Sequence, residues 1–576
     1  MTDMPPSSRA KIQLSGAQAI VRVLRAAGIR EAYGLASGKL APLFKALAAE
    51  PSIAYVGVRH EAAASFMATG VFAGSGRIAL CLGETGPGGL NLLSGLGGAS
   101  ANHLAVLAIT SSNPGGLLAP NRGGFSSTDN HALFAPLVKA TLTAREIRRI
   151  PELLRHLLRA ALTGAPGPVH LDIAGDLLAG AWDFDEAELD APLSSFVPSR
   201  ATFPAADLIS HAGDMLGSAR RPLLIAGGGL VASGELEPFH ALAEHLGAPA
   251  MTTPMGLGAV RSDHPRFIGQ GGLMAGPAAA RAMREADVIL AVGCRFSSWM
   301  WFDGPPAWTA NPAQRLIQID IDPEAIGRNF PVAVGLAGDA RATTAALLEA
   351  MEATEPCTAL DWTLGLTDDY HAHRAKLDQL ADREDALIHP AALARTLGEF
   401  IGGEGLAVFD GGHTSFWSND FTPALAPRTR LHEPGMSHLG FGLPWAMALK
   451  HTHRDQNVFC ITGDGAFGFT LGELDSARRH GLNVITVIHN NASFGVIRIG
   501  QNKAGFEYGT GLEDTDYAAI ARGFGCFGEK VEVLHDLVPA LNRALASGLP
   551  AVIDVRVSFQ PHPMLPVFGK STAAPT

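Results

Sequence analysis

Cysteine is scarce in this 576-residue chain: five residues, Cys81, Cys294, Cys357, Cys460 and Cys526, lie far apart and without CxxC spacing. An odd, dispersed set argues against a disulfide framework and against a structural zinc site. Long apolar runs are also missing. No uninterrupted stretch is long enough to span a bilayer, and Met1 to Gln13 is polar, without a signal-like apolar core. The expectation is a cytoplasmic protein with no membrane partner. Blocks of like charge are absent too: the formal charge of -11 is spread along the chain, which leaves no basic surface for nucleic acid. Tyrosine is rare, whereas Gly and Ala are abundant. A chain of this length exceeds one hydrophobic core and implies roughly three or four domains.

The most informative stretch runs from Thr462 to Gly495, TGDGAFGFTLGELDSARRHGLNVITVIHNNASFG. Asn457 to Ile461 reads as a strand and Leu471 to His480 as a helix, so Gly463-Asp464-Gly465 falls on a strand-to-helix turn. Glycines there let the backbone approach an anion, and the following helix supplies N–H groups and a favourable dipole. The Asp464 carboxylate would repel a phosphate unless a cation lies between them. Mg²⁺ suits this position, because it is shared between a few protein oxygens and substrate phosphates. The next apolar strand, Val484 to Ile488, ends in His489-Asn490-Asn491. In a parallel sheet its carboxyl end lies beside that of the first strand, so the Asn491 side-chain oxygen reaches the same metal, with the Ser493 carbonyl just beyond. Either half alone could be a glycine turn or an Asx turn that merely connects elements.

Together, the GDG and NN segments resemble the diphosphate and metal motif of thiamine-diphosphate (ThDP) enzymes. That resemblance implies diphosphate contacts at Gly463, Gly465 and Ala466, and Mg²⁺ held by Asp464, Asn491 and Ser493. The N-terminal third extends it. A strand at Ala54 to Val58 delivers Arg59-His60-Glu61 to an Ala-rich helix, Ala62 to Phe72; a strand at Ile78 to Leu82 then enters the loop Gly83-Glu84-Thr85-Gly86-Pro87-Gly88-Gly89-Leu90-Asn91, and a further strand follows at Leu104 to Thr110. This order resembles the pyrimidine-binding domain of the acetolactate synthase and pyruvate oxidase branch. By that resemblance Glu61 contacts N1′ of the aminopyrimidine and relays the proton that activates C2 of the thiazolium. Taken alone, a Glu in the first turn of a helix is a dipole-favoured position and nothing more. His60 and His103 read as structural. The segment Phe125 to Asp129, FSSTD, departs from the family's FQExD, with Ser126 and Ser127 in place of glutamine and glutamate. Pro168 to Ile173 reads as the closing strand of this domain, and Trp182 to Arg200 as a linker.

In the middle third, strands at Arg221 to Ala226, Val288 to Val292 and Leu316 to Ile321 alternate with helical segments, and the first enters Gly227-Gly228-Gly229. The resemblance admits FAD or a CoA/ADP group here, although the triplet lacks GxGxxG spacing and Ser297-Ser298-Trp299 replaces the acetolactate-type RFDDR pattern. After a charged stretch from Asp361 to Asp385, a strand at Leu406 to Phe409 leads to Asp410-Gly411-Gly412-His413-Thr414. The family places diphosphate contacts at Gly412, His413 and Thr414. Gly435 to Pro444, GMSHLGFGLP, matches the segment that grips the pyrimidine: the Ser437 carbonyl accepts from the 4′-amino group, Leu439 is the wedge that bends the cofactor, and His438 faces substrate. Gly500 stands where biosynthetic acetolactate synthases carry a substrate-selecting tryptophan.

The resulting expectation is an α/β chain of three Rossmann-like, doubly wound domains with mainly parallel sheets: a pyrimidine-binding domain at 1–185, a central nucleotide-fold domain at 200–350 and a diphosphate-binding domain at 386–576. The implied activity is ThDP- and Mg²⁺-dependent decarboxylation of a 2-oxo acid, carboligation to an aldehyde or ketone, or both, in a homodimer or homotetramer that joins Glu61 of one subunit to Asp464 of another. Two alternatives remain open at this point, a 2-hydroxyacyl-CoA lyase or oxalyl-CoA decarboxylase-like thioester enzyme, and a non-catalytic regulatory relative.

Overall fold

The computed structural model describes residues 10–118, 120–198, 202–300, 313–351, 359–383, 385–403 and 405–563. Residues 1–9 of the polar N-terminal stretch, Arg200 at the end of the expected linker and Cys357 lie outside them. The four described cysteines are buried and free, and no described helix is long and apolar enough to cross a membrane.

Three six-stranded parallel sheets flanked by helices confirm the α/β, Rossmann-like expectation. The first sheet belongs to one compact unit, and the other two belong to a second. In the first unit, strands β1 (Lys11–Ser15) and β8 (Ala181–Asp185) form an antiparallel ribbon, while β2 (Glu31–Gly34), β3 (Ala54–Gly57), β4 (Leu80–Glu84), β5 (Leu107–Ser112), β6 (Ala140–Ala144) and β7 (Val169–Ala174) form a sheet in the order β3-β2-β4-β5-β7-β6. The chain moves from β2 to one side and then crosses to β4 on the other. The crevice outside the carboxyl ends of β2 and β4 is therefore a topological switch point, the usual ligand position in such sheets.

The second unit holds two more such sheets, of which the last repeats the strand order of the first and the central one does not. Strands β9 (Pro222–Ala226), β10 (Ala250–Thr252), β11 (Phe267–Gln270), β12 (Val288–Val292), β13 (Arg315–Asp320) and β14 (Val334–Ala337) take the order β11-β10-β9-β12-β13-β14. Strands β15 (Leu406–Phe409), β16 (Arg430–Leu431), β17 (Val458–Gly463), β18 (Ile485–Asn490), β19 (Phe527–Val531) and β20 (Ala551–Arg556) take the order β16-β15-β17-β18-β20-β19. Strands covered by helices on both faces need apolar residues throughout, and β9, β12 and β15 are buried at every position.

Several sequence expectations shift. The strand expected at Pro168 to Ile173 is β7, last of this sheet in chain order, but β6, which carries Thr141 and Thr143 and lacks a continuous apolar run, was not anticipated and pairs outside it. Trp182, expected to begin a linker, lies instead in strand β8, which pairs with β1 residue for residue. The charged stretch after Asp361 is a 22-residue helix, Leu360–Ala381. Its buried face is diluted by Thr363 and Thr367 beside Leu366 and Leu377, which hides the helical period.

The first sheet also buries a polar network. His170 is fully buried, with Nε2 at 2.7 Å from Thr110 Oγ1 and Nδ1 at 2.8 Å from Thr141 Oγ1, and the Phe134 ring stacks on it at 3.7 Å. Burial pushes its pKa down to about 3. The folded state therefore binds fewer protons than the unfolded chain between pH about 3 and 6.5, so this group's contribution is complete above pH 6.5 and is lost as the pH falls. Replacing His170 with Gln is expected to flatten the urea-unfolding stability profile in that window by about 1.4 kcal/mol per pH unit. An unchanged profile would show that the imidazole already titrates in the native state.

Candidate active site

The third sheet places its switch point between β15 and β17, so the loop at Asp410-Gly411-Gly412 faces the turn at Gly463-Asp464. Strands β17 and β18 are paired to their carboxyl ends, with Gly463 opposite His489, which brings the GDG and NN segments together. Around them lies a cavity of about 490 Å³. Gly412, His413, Thr414, Ser437, Leu439, Gly463, Asp464, Gly465, Ala466, Asn491 and Ser493, the residues anticipated for this part of the chain, all line it. Glu61 belongs to the other compact unit.

Asp464 is 3% exposed; its Oδ2 accepts the Ser493 N–H at 3.0 Å, and burial pushes its carboxyl up to about 6. The Ser493 hydroxyl donates to Asn491 Oδ1 at 2.9 Å, which fixes the amide with a second lone pair still to offer. Asn490 behaves differently, since adjacent strand residues point to opposite faces: it is fully buried and donates to Asp554 Oδ1 at 2.9 Å. Ala492 between these groups holds a φ of +52°, the left-handed turn that swings the chain from Asn491 to Ser493. Backbone strain of this kind persists where the surroundings over-determine a site.

This donor set fits Mg²⁺. Carboxylate and amide oxygens are the hard ligands that the ion takes, and a buried carboxylate held above its ordinary range gains from a cation. Among the described residues no cluster of three or more His, Cys, Asp or Glu could hold a metal, as expected where one carboxylate shares the ion with phosphate oxygens. The glycines fit a diphosphate cradle. A Cβ on Gly465 would lie 2.8 Å from the Phe494 ring and one on Gly412 2.6 Å from Val496, while Gly411 holds a φ of +82°. His413 contributes differently from a cationic clamp: its Nε2 accepts from Trp417 Nε1 at 3.1 Å, and burial pushes its pKa down to about 3, so the ring is neutral.

Two features of the cavity were not legible in sequence. Asp410 is 1% exposed and accepts the Gly440 N–H at 3.2 Å and the Gly442 N–H at 3.0 Å, so it ties the loop after β15 to the segment that carries Ser437 and Leu439. A Cβ on Gly442 would meet Asp410 Cβ at 2.4 Å, which explains the glycine. Ser298 and Trp299, noted in sequence only as a lost pattern, form part of the wall, with Trp299 edge-on to His432 at 5.8 Å and tilted against Phe416 at 6.4 Å.

In the first unit, Glu61 opens the helix Glu61–Ser75, and His60 caps that helix by accepting the Ala62 N–H at 3.2 Å. Glu61 Oε2 accepts from Asn91 Nδ2 at 2.9 Å. Its Oε1 lies only 3.3 Å from where a Cβ on Gly88 would stand. Asn91 is a polar residue one turn into the Gly-rich helix Pro87–Ala101, and that isolated polarity is the signal that could have singled it out. The glycines of this helix allow close approach to the Glu61 helix, since a Cβ on Gly95 would meet Ser65 Oγ at 2.4 Å.

The central sheet's glycine triplet has a packing explanation. A Cβ on Gly227 would lie 2.1 Å from the Gly293 carbonyl oxygen and one on Gly228 2.8 Å from Met255 Cβ, and the Gly229 N–H donates to Gly293 O at 3.0 Å. These glycines let the loops after β9 and β12 touch and do not form a free phosphate cradle.

Comparison with known proteins agrees with this geometry. The N-terminal TPP binding domain of thiamine pyrophosphate enzymes matches residues 14–133, the central domain matches 209–347 and the C-terminal TPP binding domain matches 410–555. The chain is 30% identical to the probable acetolactate synthase large subunit of Methanocaldococcus jannaschii, over 97% of this chain and 95% of that protein. It is 30% identical to the acetolactate synthase large subunit of Corynebacterium glutamicum, over 95% of this chain and 87% of that protein. It is 29% identical to the acetolactate synthase isozyme 2 large subunit of Escherichia coli K12, over 94% of this chain and 96% of that protein. With all three domain types matched in order and a relative 30% identical over nearly the full length of both chains, the chain belongs to the thiamine pyrophosphate enzymes.

Proposed function

We propose that this enzyme uses ThDP and Mg²⁺ to decarboxylate a 2-oxo acid and to join the acyl unit to an aldehyde or ketone, in the manner of an acetolactate synthase. The observation that carries this reading is that Asp464, Asn491 and Ser493, linked by hydrogen bonds, line one cavity together with the glycines after β15 and β17. ThDP, when bound, supplies the electron sink that lets a 2-oxo acid lose CO₂. Asp464, Asn491 and the Ser493 carbonyl hold the Mg²⁺, and Gly412, Thr414, Gly463, Gly465 and Ala466 accommodate the diphosphate. His413 supports that loop as a neutral ring. Leu439 and the Ser437 backbone set the cofactor's conformation, with Asp410 fixing their segment from below. Glu61, oriented by Asn91, moves the proton at N1′. Apolar walls at Leu273, Trp299, Phe416 and Phe494 exclude water from the reacting carbon.

On this reading the Glu61 unit of one copy works with the Asp464 unit of another in a homodimer or homotetramer, and the location is the cytoplasm. The packed glycine triplet and the lost RFDDR pattern do not fit a flavin, and no step is assigned to one.

The test is NMR of purified protein with ThDP, Mg²⁺ and a panel of 2-oxo acids, with and without aldehyde acceptors. New carbon–carbon bonds establish a carboligase and name its donor. Aldehyde alone means a decarboxylase, and inertness toward every 2-oxo acid despite cofactor binding overturns the reading.

A further inference from the structure

The switch point of the N-terminal sheet carries a charged pair that the mechanism above does not use. Lys39 lies in the loop between β2 and the helix Ala41–Ala48, and Glu84 is the last residue of β4, so they stand on opposite sides of the crevice. Lys39 Nζ donates to the Phe125 carbonyl at 2.7 Å and lies 3.7 Å from Glu84 Oε1, and the Lys39 backbone N–H donates to Glu84 Oε2 at 3.3 Å. One hydrogen bond and one ion pair engage an ammonium that has three N–H groups, and the side chain is 19% exposed. Beside it the crevice is open: a Cβ on Gly38 would meet nothing within 4 Å.

The pair is tied to the residues around Glu61. Glu84 leads into the loop whose Gly88 lies against both Gly83 and the Glu61 carboxylate. On its other side stands the segment that departs from the family pattern. Asn113 Nδ2 donates to the Phe125 carbonyl at 3.3 Å and Thr85 Oγ1 to the Ser126 carbonyl at 3.2 Å, while Ser126 holds a φ of +55°. The Ser126 carbonyl is thus taken by Thr85, and the Phe125 carbonyl, shared with Asn113, holds Lys39. A 2-oxo acid carries a carboxylate that needs such a partner, because burying an unpaired anion next to an apolar reaction site is costly.

We propose that Lys39 binds the carboxylate of the 2-oxo acid substrate, with Glu84 and the Phe125 carbonyl positioning its ammonium. This rests on the function proposed above. Charge-assisted hydrogen bonds to ammonium are strong and are lost when the side chain is made neutral.

The experiment compares Lys39→Met, Lys39→Arg and Glu84→Gln with the parent, all loaded with ThDP and Mg²⁺. Lys39→Met is expected to lower kcat/KM for the 2-oxo acid about 10- to 100-fold, mostly through KM. The KM for an uncharged aldehyde acceptor and the substrate-free exchange of the cofactor C2 proton stay near the parent values. Lys39→Arg retains most of the affinity, and Glu84→Gln raises KM less than Lys39→Met. An equal loss for charged and uncharged substrates, or a parallel fall in C2 exchange, overturns the proposal in favour of a clamp for the Phe125 segment; an unchanged KM overturns it outright. Should the parent turn over no 2-oxo acid, the functional reading fails separately. Saturation-transfer NMR with propanoate then decides this one: binding lost in Lys39→Met supports it, and no binding to the parent refutes it.

Discussion

Glu61→Gln is expected to slow hydrogen–deuterium exchange at C2 of bound ThDP by about 10²- to 10⁴-fold, the range over which a positioned acid–base group acts. Gln fills nearly the same volume as Glu. Its side-chain oxygen still accepts from Asn91, and it leaves the close approach of Gly88 untouched. The helix Glu61–Ser75 keeps its His60 cap, so the fold is preserved and only proton transfer is lost. Binding of ThDP with Mg²⁺, followed by calorimetry, stays close to the parent because its ligands lie on other residues. C2 exchange at the parent rate would remove Glu61 from the mechanism. Asn91→Ala is the informative companion, because it leaves the carboxyl in place but frees its orientation, and a smaller loss than that of Glu61→Gln follows.

Removal of the metal, or of its one charged ligand, has the other large effect. With ThDP and Mg²⁺ at about 100 times Kd, mass action stabilises the folded parent by about 2.7 kcal/mol, and chelation of Mg²⁺ abolishes the gain. Asp464→Asn is expected to weaken Mg²⁺-dependent ThDP binding at least about 100-fold, since a buried carboxylate–cation contact of several kcal/mol disappears. The fold does not depend on that charge. Asn can still accept the Ser493 N–H, and the carboxyl's folded pKa of about 6 lies above its unfolded value. For such a group the stabilising contribution is present below the unfolded pKa and is lost as pH rises through about 6. At pH 8 the cofactor-free Asn variant is therefore more stable than the parent, by up to about 3 kcal/mol. Thermal unfolding with and without ThDP and Mg²⁺ reads both effects. A variant that melts far below the cofactor-free parent would show that Asp464 is structural first.

The sequence alone determined the parts of this protein that are local. A strand that ends in Gly-Asp-Gly, or in Asn-Asn, places its polar residues at a sheet's carboxyl edge whatever else the chain does. Asp464, Asn491 and the glycine loops were legible because phosphate and metal binding depend on backbone geometry within a few residues. The alternation of apolar runs and helical periods likewise made the three parallel sheets legible. Tertiary structure decided what depends on residues far apart. The bond from Asn91 to Glu61 and the hold of Asp410 on Gly440 and Gly442 span about thirty residues, and no local period encodes them. Trp299 became a cavity wall only because the central sheet packs beside the third, and Lys39 met Glu84 only because β2 and β4 are neighbours. Edge strand β6 and ribbon strand β8 escaped for the same reason, since their partly polar residues are strands by pairing rather than by propensity.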